Sequence, residues 1–431
     1  MTGRVLVVGS GAREHAMAWK LAQSPLVTEL ICAPGNAGMA GLGTCVPVPV
    51  TDLEGLVALA QERAVDLVAV GPEDPLVAGL ADRLTEAGIP VFGHSAAAAR
   101  IEGSKAWANA FMARHGIPTA RSIAAHDRET AATAIDELAH GGPVVLKADG
   151  LMAGKGVIVA PDPEMAHAAL GGLFAGVAGE TLVVEECLTG PEVSMLLIVD
   201  GVDYRLLAPS CDHKRAFDGD EGPNTGGMGV YTPTARVDAA MLARIEDEIL
   251  RPTLEGMVAE GNPLHGVLYP GLMLTLDGPK VIEFNARFGD PETQVVLPTT
   301  VGDLGEWAFA VANGTLGETP QPVQDGAAVG VALASGGYPG AYATGFPIRG
   351  LDEAAAEPEV LIFHAGTKQN AAGEMVTGGG RVLTVVGQGS TLAEARDRAY
   401  AAAGKITFEG KMMRTDIAAR ELDAAERRGR T

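Results

Sequence analysis

A chain of 431 residues is longer than one ordinary hydrophobic core spans, so roughly two to four domains are expected, and a 47% hydrophobic content is ample to fill them. The net charge of -22 excludes a sequence-independent grip on nucleic acid, which needs a basic face to displace counterions, but not anionic small molecules held by a local positive field. Cys32, Cys45, Cys187 and Cys211 show no close pairing or metal-ligand spacing, MTGRVLVVGSG reads as a first strand rather than a signal peptide, and no apolar run approaches bilayer length; a soluble, reduced, cytoplasmic protein is expected.

Short β-branched runs at 5–8, 30–33, 67–70 and 91–92 alternate with helical patterns at 14–23, 53–63 and 76–87. That alternation predicts an α/β unit: a parallel sheet with helices on both faces and ligands at the carboxyl ends of its strands, where GSGAREH (9–15), PGNAG (34–38) and GPEDP (71–75) fall. A dinucleotide site is opposed by Glu14, which stands where a third glycine should be, and by Ala33-Pro34, which ends the second strand without an acid for a ribose. Gly9 and Gly11 still let backbone N–H groups approach a phosphate at the helix start. Ser104 is expected to cap a helix with Trp107, Ala110 and Phe111 on one face. Strands follow at 143–148, 182–186, 194–199 and 204–208, then a helix over 238–260 bent at Pro252 and a strand pair at 266–276 and 280–285. TPQPVQDG, around Pro320, reads as a linker, with strands beyond it at 327–333, 359–364 and 381–386 and a helix at 392–403.

The chemistry concentrates in four segments. In VIEFNARFGDPETQ (281–294) a strand's period of two puts Glu283 and Asn285 on one face, with Ile282 and Phe284 packed into the other. Such a carboxylate and amide oxygen suit a magnesium ion carrying nucleotide phosphates, and Arg287 follows within reach. KADGLMAGKGV (147–157) sets glycines 150, 154 and 156 around Lys155, so its N–H groups can enclose a phosphate as a mobile lid, without the spacing of a Walker loop. Lys147 lies in the apolar run VVLKA, where an unpaired ammonium is costly, so an anionic partner is required; a nucleotide or a structural salt bridge meets that need. VVEECLTGPEVS (183–194) puts Glu185 and Glu186 at a strand end and Glu192 after a turn, a pattern of adenine-pairing backbone and ribose-binding acid that plain surface acids also give. SCDHKRAFDGDEGPNTGGMGVY (210–231) is long, polar and glycine-rich, which marks a functional loop; Asp212, Lys214 and Arg215 offer charges, and His213 reads as a hydrogen-bonding residue rather than a general base.

In this order, GSGAREHA, APGNAG, VGPEDPL, EGSK, ARHGIPTA, KADGLMAGKGV, DHKR, GPNTGGMG, EFNARFGDPETQ, SGGYPG, FHAGTK and GGRVL resemble the ATP-grasp ligases, and much more closely the phosphoribosylamine–glycine ligases among them, over nearly the whole chain. The resemblance implies an N-terminal parallel-sheet (pre-ATP-grasp) domain at 1–103, a two-lobed α+β ATP-grasp domain at 104–319 with a mobile lid lobe at about 120–192, and a small C-terminal α+β domain at 325–425. It implies ATP-dependent joining of glycine to 5-phosphoribosylamine through glycyl phosphate, with magnesium, or manganese in its place, and transient contact with the amidotransferase upstream. By motif, Lys105, Lys147, Gly154, Lys155 and Gly156 would hold ATP phosphates, and Glu185, Glu186, Leu188 and Glu192 the adenosine. Glu283 and Asn285 would hold the metal. Arg287, Lys214 and Asp212 would serve catalysis beside Asn224, Thr225, Gly226, Gly227, Asp290, Pro291 and Glu292, while Gly9, Gly11, Arg13, Gly71, Pro72 and Glu73 would face phosphoribosylamine. The rivals are another ATP-grasp ligase or carboxylase and a non-catalytic nucleotide-binding protein. LYPGLML lacks a second metal-binding carboxylate, and Asp74, His94 and the C-terminal DIAARE depart from the usual pattern, changes expected to affect packing rather than chemistry.

Overall fold

The computed structural model describes residues 2–151, 156–174 and 181–429. The N-terminal alternation becomes β1 (Gly3–Gly9), β2 (Val27–Pro34), β3 (Thr44–Cys45), β4 (Leu67–Val70) and β5 (Val91–Phe92), joined in the parallel order β3-β2-β1-β4-β5. Residues 5–8 are wholly buried, as a sheet covered on both faces requires. The covering helices are α1 (Ala12–Leu21), α2 (Leu53–Glu62), α3 (Glu73–Val77), α4 (Leu80–Glu86) and α5 (Ala96–Gly103). The single helix expected at 76–87 is two helices, because Gly79 takes a left-handed φ of 89° that interrupts the hydrogen-bond ladder. Ser104 caps α6 (Lys105–His115) by accepting the Trp107 N–H at 3.1 Å. The buried face of α6 is Ala108, Phe111 and Met112, whereas Ala110 is exposed. Trp107 remains at the rim, stacked on Phe111 with the Arg100 and Arg114 guanidiniums 5.5 and 6.0 Å from its ring.

A second sheet, antiparallel in the order β6-β9-β7-β8, contains β6 (Ser122–Ala125), β7 (Val144–Ala148), β8 (Val157–Ala160) and β9 (Leu182–Glu186). With α7 (Arg128–Ala139) and α8 (Pro163–Gly172) it encloses its own hydrophobic cluster, from Ala125 to Val184, separate from the clusters that fill the rest of the chain. A third sheet holds β10 (Glu192–Ser194), β11 (Leu197–Asp200), β12 (Asp203–Leu206), β17 (His265–Thr275) and β18 (Gly278–Asn285). The helix expected at 238–260 runs from Ala239 to Ala259, with a wider turn over Glu246–Leu250 just before Pro252, whose missing N–H cannot close a regular turn.

The fourth sheet joins distant parts of the chain. Its order is β13-β16-β21-β25-β22, so β13 (Cys211–Asp212) and β16 (Gly229–Thr232) extend a sheet whose other strands are β21 (Ala327–Ala334), β22 (Val360–His364) and β25 (Arg381–Gly389). Short ribbons pair β14 (Arg215–Phe217) with β15 (Glu221–Asn224), β19 (Thr300–Val301) with β20 (Val323–Gln324), and β23 (Thr367–Gln369) with β24 (Met375–Thr377). The segment read as a linker thus contributes β20, which folds back on β19.

Two buried histidines pin these sheets together. His94 Nδ1 accepts the His265 N–H at 2.9 Å, so its Nε2–H donates to the Val267 carbonyl at 2.8 Å. His15 Nδ1 accepts the His364 N–H at 2.9 Å. Both bonds need a neutral ring. Burial pushes His94 down to about 4, and burial with nearby His364 pushes His15 down to about 3. The unfolded chain therefore binds more protons below the ordinary histidine pKa, and stability contributed by each neutral ring is lost as pH falls from about 6.5 through about 4. The unfolding free energy from urea titrations should fall across that window, by roughly 3 kcal/mol per histidine, and His94→Gln, which keeps a donor and an acceptor, should flatten the decline. An identical decline in the variant would count against this pin.

Candidate active site

The sheets enclose a cleft of about 1030 Å³ bordered by β7, β8, β9, the β17–β18 hairpin, the segment 211–226 and side chains from the N-terminal unit. At its centre lie Glu283 and Asn285. In the hairpin Glu283 faces Gly271 and Asn285 faces Tyr269 across the strands, with a bulge that shifts the register at Leu272. The bulge leaves Ile282 without a partner and interrupts the alternation there; Ile282 is half-buried and Phe284 is buried, and both border the cleft. Asn285 donates its Nδ2 to the Tyr269 carbonyl at 3.3 Å, which among the described residues leaves Oδ1 free to accept or ligate. Among the described residues the Glu283 carboxylate makes no ion pair within 4 Å. Burial alone would raise its pKa, yet Lys214, Lys147, Arg287 and Lys105 hold it below the usual carboxylate range.

Each of those cations has a place of its own. Lys105 Nζ donates to the Gly150 carbonyl at 2.8 Å, and burial lowers its pKa. Lys147 pairs with Glu185 at 2.7 Å and donates to the Ile282 carbonyl at 2.8 Å. The partner that VVLKA requires is therefore Glu185, which also accepts from Asn109 Nδ2 at 2.9 Å. Glu186 accepts the Arg121 N–H at 3.0 Å and lies 3.5 Å from Lys280. Lys214 pairs with Glu192 at 2.8 Å. Leu188, Gly150 and Gly156 border the cleft; Gly154 and Lys155 lie outside the described residues.

Arg287 is the hinge of a buried charge ladder. Its Nε meets Glu73 at 3.1 Å and its Nη2 meets Glu102 at 3.0 Å; Arg13 reaches Glu73 at 3.6 Å and Glu14 at 2.5 Å. Glu102 also accepts the Ala286 N–H at 2.6 Å. Burial pushes Glu102 up to about 7, against the pull of Arg287, whereas in Glu73 the burial effect is outweighed by Arg287 and Arg13, which hold it down at about 2. Arg13 and Glu73 border the cleft, but Gly9, Gly11, Gly71 and Pro72 do not. The Gly11 N–H is given to Glu14 Oε2 at 2.7 Å, and a Cβ on Gly9 or Gly71 would stand 2.3 Å from the Glu14 side chain. Those glycines make room for a carboxylate of the chain itself.

On the opposite side, Asp212 lies among Lys214, Glu292, Glu192 and Glu283; burial, with the three acids, pushes it up to about 7. Burial disfavours the Lys214 ammonium, but Asp212 and Glu192 more than restore it, and its pKa is well above the usual value. Glu292 accepts from Tyr269 Oη at 2.7 Å and Ser194 Oγ at 3.1 Å. Asp290 pairs with Arg381 at 2.7 Å. Asn224, Thr225, Gly226, Asp290 and Glu292 border the cleft, while Gly227 and Pro291 pack behind it. Gly227 has φ +108°, and a Cβ there would stand 2.4 Å from Pro291 Cδ. Gly227→Ala should therefore destabilise by roughly 2–4 kcal/mol in urea unfolding, and an unchanged midpoint would remove the strain argument. His213 is half-buried, and burial of its ring with Arg414 nearby pushes it down to about 4; its Nδ1 is unbonded among the described residues, so it is a neutral ring at ordinary pH.

Models of the phosphoribosylglycinamide synthetase N domain, ATP-grasp (A) domain and C domain match residues 3–102, 103–293 and 328–420. Over 423 residues the chain is 49% identical to the phosphoribosylamine–glycine ligase of Caulobacter vibrioides, covering 97% of this chain and 98% of that one. The chain belongs to the phosphoribosylglycinamide synthetase family. It is likewise 49% identical to the Streptomyces coelicolor phosphoribosylamine–glycine ligase, over 98% of this chain and all of that one. A crystal structure of phosphoribosylamine–glycine ligase from Thermotoga maritima superposes with a TM-score of 0.83 at 36% identity, covering 96% and 100% of the two chains. The biotin carboxylase domain of a Hydrogenobacter thermophilus 2-oxoglutarate carboxylase shares the fold alone, at 18% identity and a TM-score of 0.72 over 96% of this chain and 92% of that one.

Among the cleft residues that the sequence motifs did not single out are Glu102, Tyr269 and Arg381. Each had a faint signal. Glu102 is the acid of EGSK, Tyr269 stands at the alternating position of LYPGLML that pairs with Asn285, and Arg381 is the cation of GGRVL.

Proposed function

We propose that this member of the synthetase family joins glycine to 5-phosphoribosylamine at the expense of ATP, giving glycinamide ribonucleotide, ADP and phosphate. The observation that carries the reading is the Glu283–Asn285 pair, which among the described residues is a carboxylate without an ion pair and an amide oxygen left free, ringed by Lys105, Lys147, Lys214 and Arg287. Two oxygen ligands and a surplus of space suit a divalent cation that takes its other ligands from phosphates and water. Such a cation, magnesium with manganese able to replace it, neutralises phosphoryl oxygens when bound.

A carboxylate resists attack by an amine because oxide would have to leave. Phosphorylation removes that obstacle: a glycine carboxylate oxygen attacks the γ-phosphorus, the bond to ADP breaks, and glycyl phosphate forms. The amine then attacks the acyl carbon, and phosphate departs with one former carboxylate oxygen. Lys105 and Lys147 spread positive charge over the triphosphate, and Arg287 with Lys214 does so on the amino-acid side. We assign Asp212, whose carboxyl burial and the neighbouring acids push up to about 7, to take the amine's proton. We keep the adenosine at Leu188, Glu185, Glu186 and Glu192, with ribose binding drawing Glu192 from Lys214. Arg13 and Glu73, backed by Gly9, Gly11, Gly71 and Pro72, are assigned to phosphoribosylamine, and Asn224 to Gly227 with Asp290 to Glu292 to the amino-acid side.

We also keep three units, at 1–103, 104–319 and 325–425, with the lobe at about 120–192 as a lid. Its separate hydrophobic cluster supports movement as a body, closing over the nucleotide to exclude water from the mixed anhydride, and we keep Gly154 and Lys155, which lie outside the described residues, among the groups that would hold ATP phosphates. Among the described residues no helix is long and apolar enough to cross a membrane. A cytoplasmic site fits four free thiols, and transient contact with the amidotransferase fits the lability of a phosphoribosylamine. The test is ADP release with ATP, magnesium, glycine and fresh phosphoribosylamine, each omitted in turn. ADP should appear only with the full set; release with bicarbonate in place of glycine would overturn the assignment.

A further inference from the structure

The two loops assigned to the amino-acid side, 224–227 and 289–292, are far apart in sequence, and one side chain from a third region ties them together. Arg381 opens β25 in the C-terminal sheet. Its Nη1 donates to the carbonyls of Gly226 at 2.5 Å, Asp290 at 3.1 Å and Gly227 at 3.4 Å, and its Nη2 donates to Asp290 Oδ2 at 2.7 Å. Tyr338 adds a second fastening from the same unit, its Oη accepting the Gly226 N–H at 3.1 Å. The fit is close: a Cβ on Gly226 would stand 3.1 Å from the Arg381 guanidinium carbon, and one on Gly380 would stand 2.4 Å from the Tyr338 ring.

We propose that Arg381 is a positioning residue for the ligase reaction, holding the two loops at a fixed separation and orientation so that they form one substrate-facing wall. A guanidinium suits the task because its donors lie in a rigid plane, so bonds to both loops fix an angle as well as a distance; a lysine ammonium supplies one compact charge with no such plane. The nucleotide is held by other elements, the hairpin and the β7–β9 sheet, so the clamp acts on glycine and phosphoribosylamine and leaves ATP affinity alone. The inference rests on reading 224–227 and 290–292 as substrate-facing loops.

The test compares Arg381→Ala, Arg381→Lys, Tyr338→Phe and Asp290→Ala in the full chain, with steady-state kinetics, a fluorescent-ATP titration and a thermal melt. Arg381→Ala should raise KM for glycine and phosphoribosylamine by roughly 10- to 100-fold, with ATP affinity within about twofold of the parent. Millimolar guanidinium should recover part of the loss, Arg381→Lys should recover little, and Tyr338→Phe should show a roughly two- to tenfold effect. Normal kinetics in Arg381→Ala, or an equal loss of ATP affinity without guanidinium rescue, would overturn the clamp while a crippled Asp290→Ala left the loop assignment standing. Normal kinetics in Asp290→Ala would overturn the loop assignment and the clamp with it.

Discussion

Glu283→Ala should lower glycine-dependent ADP formation by roughly a thousandfold or more, with little change in the folded state. The loss follows from removing the one carboxylate of the candidate cation site and the negative centre about which Lys214, Lys147, Arg287 and Lys105 are arranged. The fold survives because each cation keeps another partner: Glu192, Glu185, the Glu73 and Glu102 pair, and the Gly150 carbonyl. A second readout separates binding from chemistry, since magnesium with ADP should raise the melting temperature of the parent but not of the variant. Near-normal turnover, or an unchanged metal-dependent stabilisation, would remove Glu283 from the site.

Arg287→Met should be costly in both activity and stability. It removes a guanidinium from Glu73 at 3.1 Å and Glu102 at 3.0 Å, and stranding buried charge in this way costs about 3–5 kcal/mol. Glu102 gives the loss a pH dependence. Its folded pKa, already raised to about 7 by burial, rises further without Arg287, so the native variant binds a proton that the unfolded chain releases above the ordinary glutamate value of 4.5. The part of the deficit due to Glu102 should therefore be small near pH 5 and grow as pH rises through 7 and beyond, added to the loss at Glu73, which is already present at pH 5. Adding Glu102→Gln should recover stability at pH 8, as read from urea midpoints. A double variant less stable than Arg287→Met at that pH would contradict the ladder.

How much of this was legible in the sequence depends on how local each signal is. The alternation of β1 to β5 with their helices is written in adjacent residues, and the pairing of Glu283 with Asn285 follows from the period of two. Ile282 reads as an ordinary inward-facing residue because alternation alone cannot show that a bulge in β18 leaves it without a partner between Val281 and Glu283. Gly79 looked like one more small residue in a helix until its left-handed backbone split that helix. The joining of β13 and β16 to β21 depends on pairing across about a hundred residues. For the same reason the sequence pointed to an anion near Lys147 without naming Glu185, and left Glu102, Tyr269 and Arg381 unmarked: each is a single polar residue whose meaning lies in a partner distant along the chain.

Label transfer tests the central claim most directly. Glycine carrying heavy oxygen in its carboxylate should deliver one labelled oxygen to the inorganic phosphate released in each turnover, because the anhydride oxygen leaves with phosphorus when the amine attacks. Phosphate free of label, with glycinamide ribonucleotide still formed, would contradict transfer of the terminal phosphoryl group to glycine.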